Sequence, residues 1–84
     1  MDTPKKEDFE KALEELIVEA KNQGSENVYV SSGDLHRKVG GYPGSNHRMP
    51  ICCGVMKKRK GVNDVIVNSP PSGIGASLEI RYKT

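Results

Sequence analysis

The run SGDLHRKVGGYPGSNHRMPICCGVMKKRK, residues 32–60, decides how this chain folds. Ser32-Gly33-Asp34 offers a capping hydroxyl and early negative charge, Leu35 and Val39 lie one helical turn apart, and Gly40-Gly41 stops the element. Tyr42-Pro43-Gly44 reads as a turn, after which Ser45 or Asn46 can cap another helix. Ile51, Cys52, Val55 and Met56 supply the apolar stripe of that helix, expected over 45–60. Lys57-Lys58-Arg59-Lys60 then places positive charge at its C-terminal end, before Gly61. Pro50 falls inside this span, and a proline beyond the first turn removes a hydrogen bond and clashes with the turn before it, so an irregular start is expected. The run therefore predicts two short helices joined by a turn.

Upstream, Thr3-Pro4 reads as a helix start, with a hydroxyl cap followed by a proline at the first helical position. Phe9, Leu13, Leu16, Ile17 and Ala20 recur at helical spacing with glutamates on the other faces, and Gly24 supplies the left-handed cap after Asn22-Gln23. Val28 and Val30 alternate around Tyr29, predicting a short strand over 27–31. Downstream, Val65 to Val67 reads as a strand. Ala76, Leu78, Ile80 and Tyr82 alternate with Ser77, Glu79, Arg81 and Lys83, the period of two that marks a half-buried strand. Between them Ser69-Pro70-Pro71-Ser72-Gly73-Ile74-Gly75 belongs to a hairpin tip. The predicted order is helix, strand, helix, helix, strand, loop, strand, an α+β chain.

With 84 residues, the sequence has the size of a single small domain, 1–84, whose limited core disfavours a large cofactor cavity or an elaborate buried catalytic centre. Its longest purely apolar run, Leu16-Ile17-Val18, is far below the roughly 18 residues that a membrane span needs. The first residues contain neither the apolar core nor the cleavage site of a secretory signal. Cys52 and Cys53 are adjacent and cannot staple distant segments, so a cytoplasmic, reducing setting is the expectation. The formal net charge of +2 hides an asymmetry: residues 1–26 carry −4 and residues 27–84 carry +6. An acidic first helix followed by a basic body points to a polyanionic partner on one face.

This order of elements resembles the winged helix-turn-helix family of DNA-binding domains: three helices, a small antiparallel sheet and one β-hairpin wing. The stretch from Leu35 to Pro50 also resembles one found in small microbial proteins, a likeness that implies no mechanism. The family resemblance implies a non-enzymatic domain acting in transcription regulation, with double-stranded DNA met by helix 45–60 in the major groove and by a 68–76 wing on the backbone. Carried over by position, it nominates Ser45, Asn46, His47, Arg48, Lys57, Lys58, Arg59 and Lys60 on the third helix and its approach. In the wing it nominates Ser72 and Gly73, with Arg81 and Lys83 flanking the base. The side chains suit the task, since arginine pairs with guanine or phosphate, asparagine reads adenine and lysines neutralise phosphates.

Other chemistries fit less well. His36, His47, Cys52 and Cys53 are metal-ligand types, but no Cys-x-x-Cys pair is present and adjacent cysteines on a helix diverge by about 100°. A Cys–His47–Asp34 nucleophilic triad lacks a legible pocket. Carboxylates in the basic segment, Asp34, Asp64 and Glu79, are too dispersed for a metal-dependent nuclease. No cofactor, metal or catalytic residue is therefore expected. The alternative is a protein-interaction module on the same fold, with an acidic partner on the basic face or a homodimer built on the first helix. Tyr29, Tyr42 and Tyr82 are expected at the edge of the core.

Overall fold

A computed structural model of the chain describes residues 4–40 and 48–84. Its elements run α1 (Lys6–Asn22), β1 (Asn27–Ser31), α2 (Ser32–Val39), α3 (Met49–Arg59), β2 (Val65–Asn68) and β3 (Glu79–Lys83). The three strands form one antiparallel sheet in the order β1-β3-β2. Among the described residues the fold is thus α+β, with three helices and a small antiparallel sheet, in the expected element order.

Element boundaries differ from expectation where a side chain wins a backbone group. α1 starts after Pro4 rather than at it, with Lys5 as N-cap. The Asp8 carboxylate accepts the Lys5 backbone N–H at 2.8 Å, satisfying a free donor at the positive end of the helix. Thr3 lies outside the described residues. The far end of α1 closes as expected, with Gly24 at φ +83° and the Ser25 N–H returning to the Ala20 carbonyl. α2 is capped by Ser31, whose hydroxyl accepts the Asp34 N–H at 3.2 Å, and not by Ser32. α3 is shorter than 45–60 because Pro50 occupies its first turn, where a missing N–H is harmless.

The largest departure is in the hairpin. β3 begins at Glu79, not Ala76, where the Ala76 and Leu78 carbonyls accept from the start of α2. Ser32 N–H donates to the Leu78 carbonyl at 2.8 Å and Gly33 N–H to the Ala76 carbonyl at 3.1 Å. These are the first, otherwise unpaired, donors of α2. Gly33 permits a close approach here: a Cβ at that position would stand 3.2 Å from both the Ala76 Cβ and its carbonyl oxygen, so Ala76 would have to shift by a few tenths of an ångström. The Ser32 hydroxyl and the Cys53 thiol both donate to the Gly75 carbonyl, so the limb from 75 to 78 is laid across α2 and α3. The expected hairpin tip is a loop whose returning half is fastened to the helices.

Inside, Phe9, Leu13 and Ile17 from α1, Leu35 from α2, Cys52, Val55 and Met56 from α3, and Val30, Ile80 and Tyr82 from the sheet pack as one cluster with Leu78. Tyr82 is fully buried, not at the core edge; its hydroxyl donates to the Met56 carbonyl at 2.8 Å, and burial pushes its pKa up. Tyr29 faces the other way, 60% exposed, opposite Arg81 on the outer side of the sheet. Tyr42 lies outside the described residues.

Asp64 anchors the start of β2 to the end of β3. Its carboxylate accepts the Gly61 N–H at 2.7 Å and the Lys83 N–H at 2.8 Å. Burial alone raises a carboxyl pKa, but these two donors, with Arg59 and Lys60 nearby, hold Asp64 below its ordinary value of 3.8. A depressed folded-state pKa contributes stability that is present above the ordinary value and is lost as pH falls through the folded one. Asp64→Ala is therefore expected to cost about 1–3 kcal/mol at neutral pH and to flatten the acid side of the stability profile. Urea unfolding of both proteins between about pH 2 and pH 7 checks this, and parallel acid limbs would count against it.

Candidate nucleic-acid interface

The position of α3 is set by packing on its inner side and by one imidazole at its start. Met49, Cys52, Cys53, Val55 and Met56 are buried, and the Cys52 thiol donates to the Ser32 carbonyl of α2 at 3.4 Å. His36, fully buried on α2, accepts the Arg48 backbone N–H at Nε2, at 2.7 Å. Since a backbone N–H can only donate, Nε2 carries no proton, and Nδ1–H donates to the Gly40 carbonyl at 3.1 Å. The ring also packs edge-on against Phe9, with centroids 4.9 Å apart. One side chain thus joins Gly40 and Arg48, the two residues that flank 41–47, and places the Arg48 side chain at the exposed entrance to α3.

The outward face of α3 is formed by Pro50, Ile51, Gly54, Lys57 and Lys58, all exposed. Ile51 was expected in the apolar stripe, but it is 37% exposed. Met49 and Cys53 take the inward places, because five inward positions already complete the buried arc of an eleven-residue helix. Lys57 has a structural bond as well as an exposed side chain: Nζ donates to the Gly73 carbonyl at 2.6 Å, drawing the loop tip against α3. Within that tip the Ser72 hydroxyl donates to the Ile74 carbonyl at 2.9 Å, and Gly73 N–H donates to the Pro70 carbonyl at 2.8 Å. Lys57, Ser72 and Gly73 therefore belong to one surface made by α3 and the loop beside it, with Lys58 exposed in the same turn and Arg48 exposed at the far end of the helix.

The remaining nominated residues are distributed elsewhere. The Arg59 guanidinium donates to the Glu14 carboxylate of α1, which raises the Arg59 pKa. A cleft of about 330 Å³ separates these helices, lined by Glu10 and Glu14 on one side and Lys58 and Arg59 on the other, over Leu13 and Val55. Positive charge on that flank of α3 is thus partly answered within the chain. Lys60 lies near the Asp64 carboxylate, and Lys83 gives it a backbone N–H. Ile80 and Tyr82 point into the core, so strand alternation puts Arg81 and Lys83 on the opposite side of the sheet from the helices. Those two are not brought together with α3. Ser45, Asn46 and His47 lie outside the described residues.

Residues weighed for catalysis or metal binding have other surroundings. Burial, then the neighbouring Cys53, pushes the Cys52 thiol up to about 12, so little nucleophilic thiolate exists at neutral pH. Asp34 is paired with Arg37 at 3.1 Å on the surface. Among the described residues, no group of three or more His, Cys, Asp and Glu side chains is arranged to hold a metal ion. Among them, too, no helix is long and apolar enough to cross a membrane. The structural roles of His36 and Asp64 were missed from sequence; the only local signal was the Gly61-Val62-Asn63-Asp64 spacing, which permits the Asp64 turn. No family model, curated protein or solved structure matches the chain.

His36→Leu removes both imidazole hydrogen bonds while keeping an apolar side chain against Phe9. Leaving the Arg48 N–H and Gly40 carbonyl without that partner is expected to destabilise the domain by about 2–4 kcal/mol. Denaturant unfolding of the variant measures the loss; stability within about 0.5 kcal/mol of the parent would show that the imidazole does not hold α3 in place.

Proposed function

We propose that this chain is a winged-helix domain that binds double-stranded DNA without catalysing a reaction. The element order and the β1-β3-β2 sheet support the winged-helix reading, since they place a helix pair and a hairpin on one framework. The observation that carries the function is the exposed surface of α3, where Lys57 holds the loop tip, Lys58 is exposed in the same last turn and Arg48 is exposed at the start of the helix. Cations on a helix of this size suit the phosphate walls of a major groove, and the adjacent loop suits the sugar-phosphate backbone.

The divided placement of the basic residues limits the number of phosphates engaged. With three or four contacts from α3 and its surroundings, the log–log salt slope is expected to be about −3 to −4. Raising salt from about 50 to 200 mM then weakens binding by roughly 50- to 200-fold. Arg48→Ala with Lys58→Ala should reduce the slope by about 2 and lower affinity at every sequence tested, with little change in thermal stability. Fluorescence anisotropy of a labelled duplex measures both quantities. Unchanged affinity in the double variant removes this surface from the proposal.

A second reading, a protein-interaction module, has its own observation. β2 is an edge strand whose Val65, Ile66 and Val67 are all exposed, with no charge or proline to block addition of another strand. On that reading the molecular mass by light scattering rises with concentration, and Ile66→Lys abolishes the rise. A mass that stays monomeric removes a self-association role for β2.

A further inference from the structure

Between Met49 and Met56, the outward face of α3 offers only Pro50, Ile51 and Gly54, none of which has a side-chain hydrogen-bond donor or acceptor. At 100° per residue, Gly54 occupies the middle of the exposed arc, flanked by Pro50 and Lys57 on one side and by Ile51 and Lys58 on the other. A glycine inside a helix weakens it relative to alanine, so a packing reason is normally sought. The fold supplies none: a Cβ at Gly54 would meet nothing within 4 Å. At Gly33, by contrast, a Cβ would crowd Ala76 at 3.2 Å, so the fold gives a packing reason for one glycine and none for the other.

From this contrast we infer that Gly54 serves close approach of a DNA duplex to the helix backbone, and that α3 docks with little discrimination between base sequences. The inference rests on the DNA-binding reading above and adds how the helix meets its ligand. Lys57 and Lys58 lie within about 60° of Gly54 around the helix axis, and Arg48 is exposed at the opposite end of α3. Lys57 and Lys58 would meet phosphates while the smooth centre of the arc faces the base edges. Ile51 can touch a thymine methyl group, but the centre cannot make the bidentate hydrogen bonds that distinguish one base pair from another. The deep, narrow major groove of A-form RNA does not admit a helix, so duplex RNA is the poorer fit.

The test compares the wild-type chain with Gly54→Ala and Gly54→Gln, reading thermal unfolding and affinity for AT-rich, GC-rich and mixed 25-base-pair DNA duplexes at about 100 mM salt. Gly54→Ala is expected to raise the melting temperature by a few degrees and to weaken DNA binding several-fold; Gly54→Gln, still folded, weakens it at least tenfold. Wild-type affinities should agree within about fivefold across the duplexes, against the 10³-fold or greater preference that a sequence-specific domain shows. DNA binding that survives both substitutions, or a strong preference for one duplex, overturns this inference and leaves the DNA-binding reading standing. Absence of wild-type binding to every duplex at low salt overturns both.

Discussion

A single neutral imidazole sets the geometry on which the helical surface depends. His36 is sealed inside the protein and still satisfies both ring nitrogens, donating to Gly40 and accepting from Arg48. An unpaired polar ring in that setting would be unfavourable by several times the net value of a hydrogen bond. The two bonds therefore act as a geometric condition: α2 must end and α3 must begin within reach of the same ring. The entry angle of α3, the exposure of Arg48 and the closeness of Gly40 to Arg48 follow from it.

A second constraint comes from the start of α2. Helix N-termini leave free N–H groups, and here the first ones are taken by carbonyls of the chain returning from the hairpin. The five residues of β3 begin directly after the last of these carbonyls, that of Leu78. With Gly33 against Ala76, Cys53 on Gly75 and Lys57 on Gly73, helix and loop become parts of one continuous surface. Any ligand of α3 meets the loop in a position that the fold has already chosen.

Charge is handled by the same logic. The +6 of residues 27–84 overstates what is available to a polyanion, because Arg59 answers Glu14, Arg37 answers Asp34, and Arg81 and Lys83 occupy the far side of the sheet. Charge remaining around α3 is concentrated at its two ends, with an apolar, sterically open middle. Such a distribution favours attraction to a phosphate backbone over reading of base edges.

The order and type of the elements are legible in local patterns along the chain. Apolar spacing in α1, alternation through Ile80 and Tyr82, and the glycines and prolines between them are local signals that need no knowledge of distant contacts. Tertiary structure alone decided which hydroxyl capped α2, where β3 began and which side of α3 faced outward. Distant partners entered these choices: Gly75 for Ser32, Ala76 for Gly33, and Arg48, twelve residues on, for His36. Of the proposed surface, the basic residues of α3 were legible as a run, whereas their separation from Arg81 and Lys83 was not. A one-dimensional charge count contains no information about which face of a sheet or helix each side chain occupies.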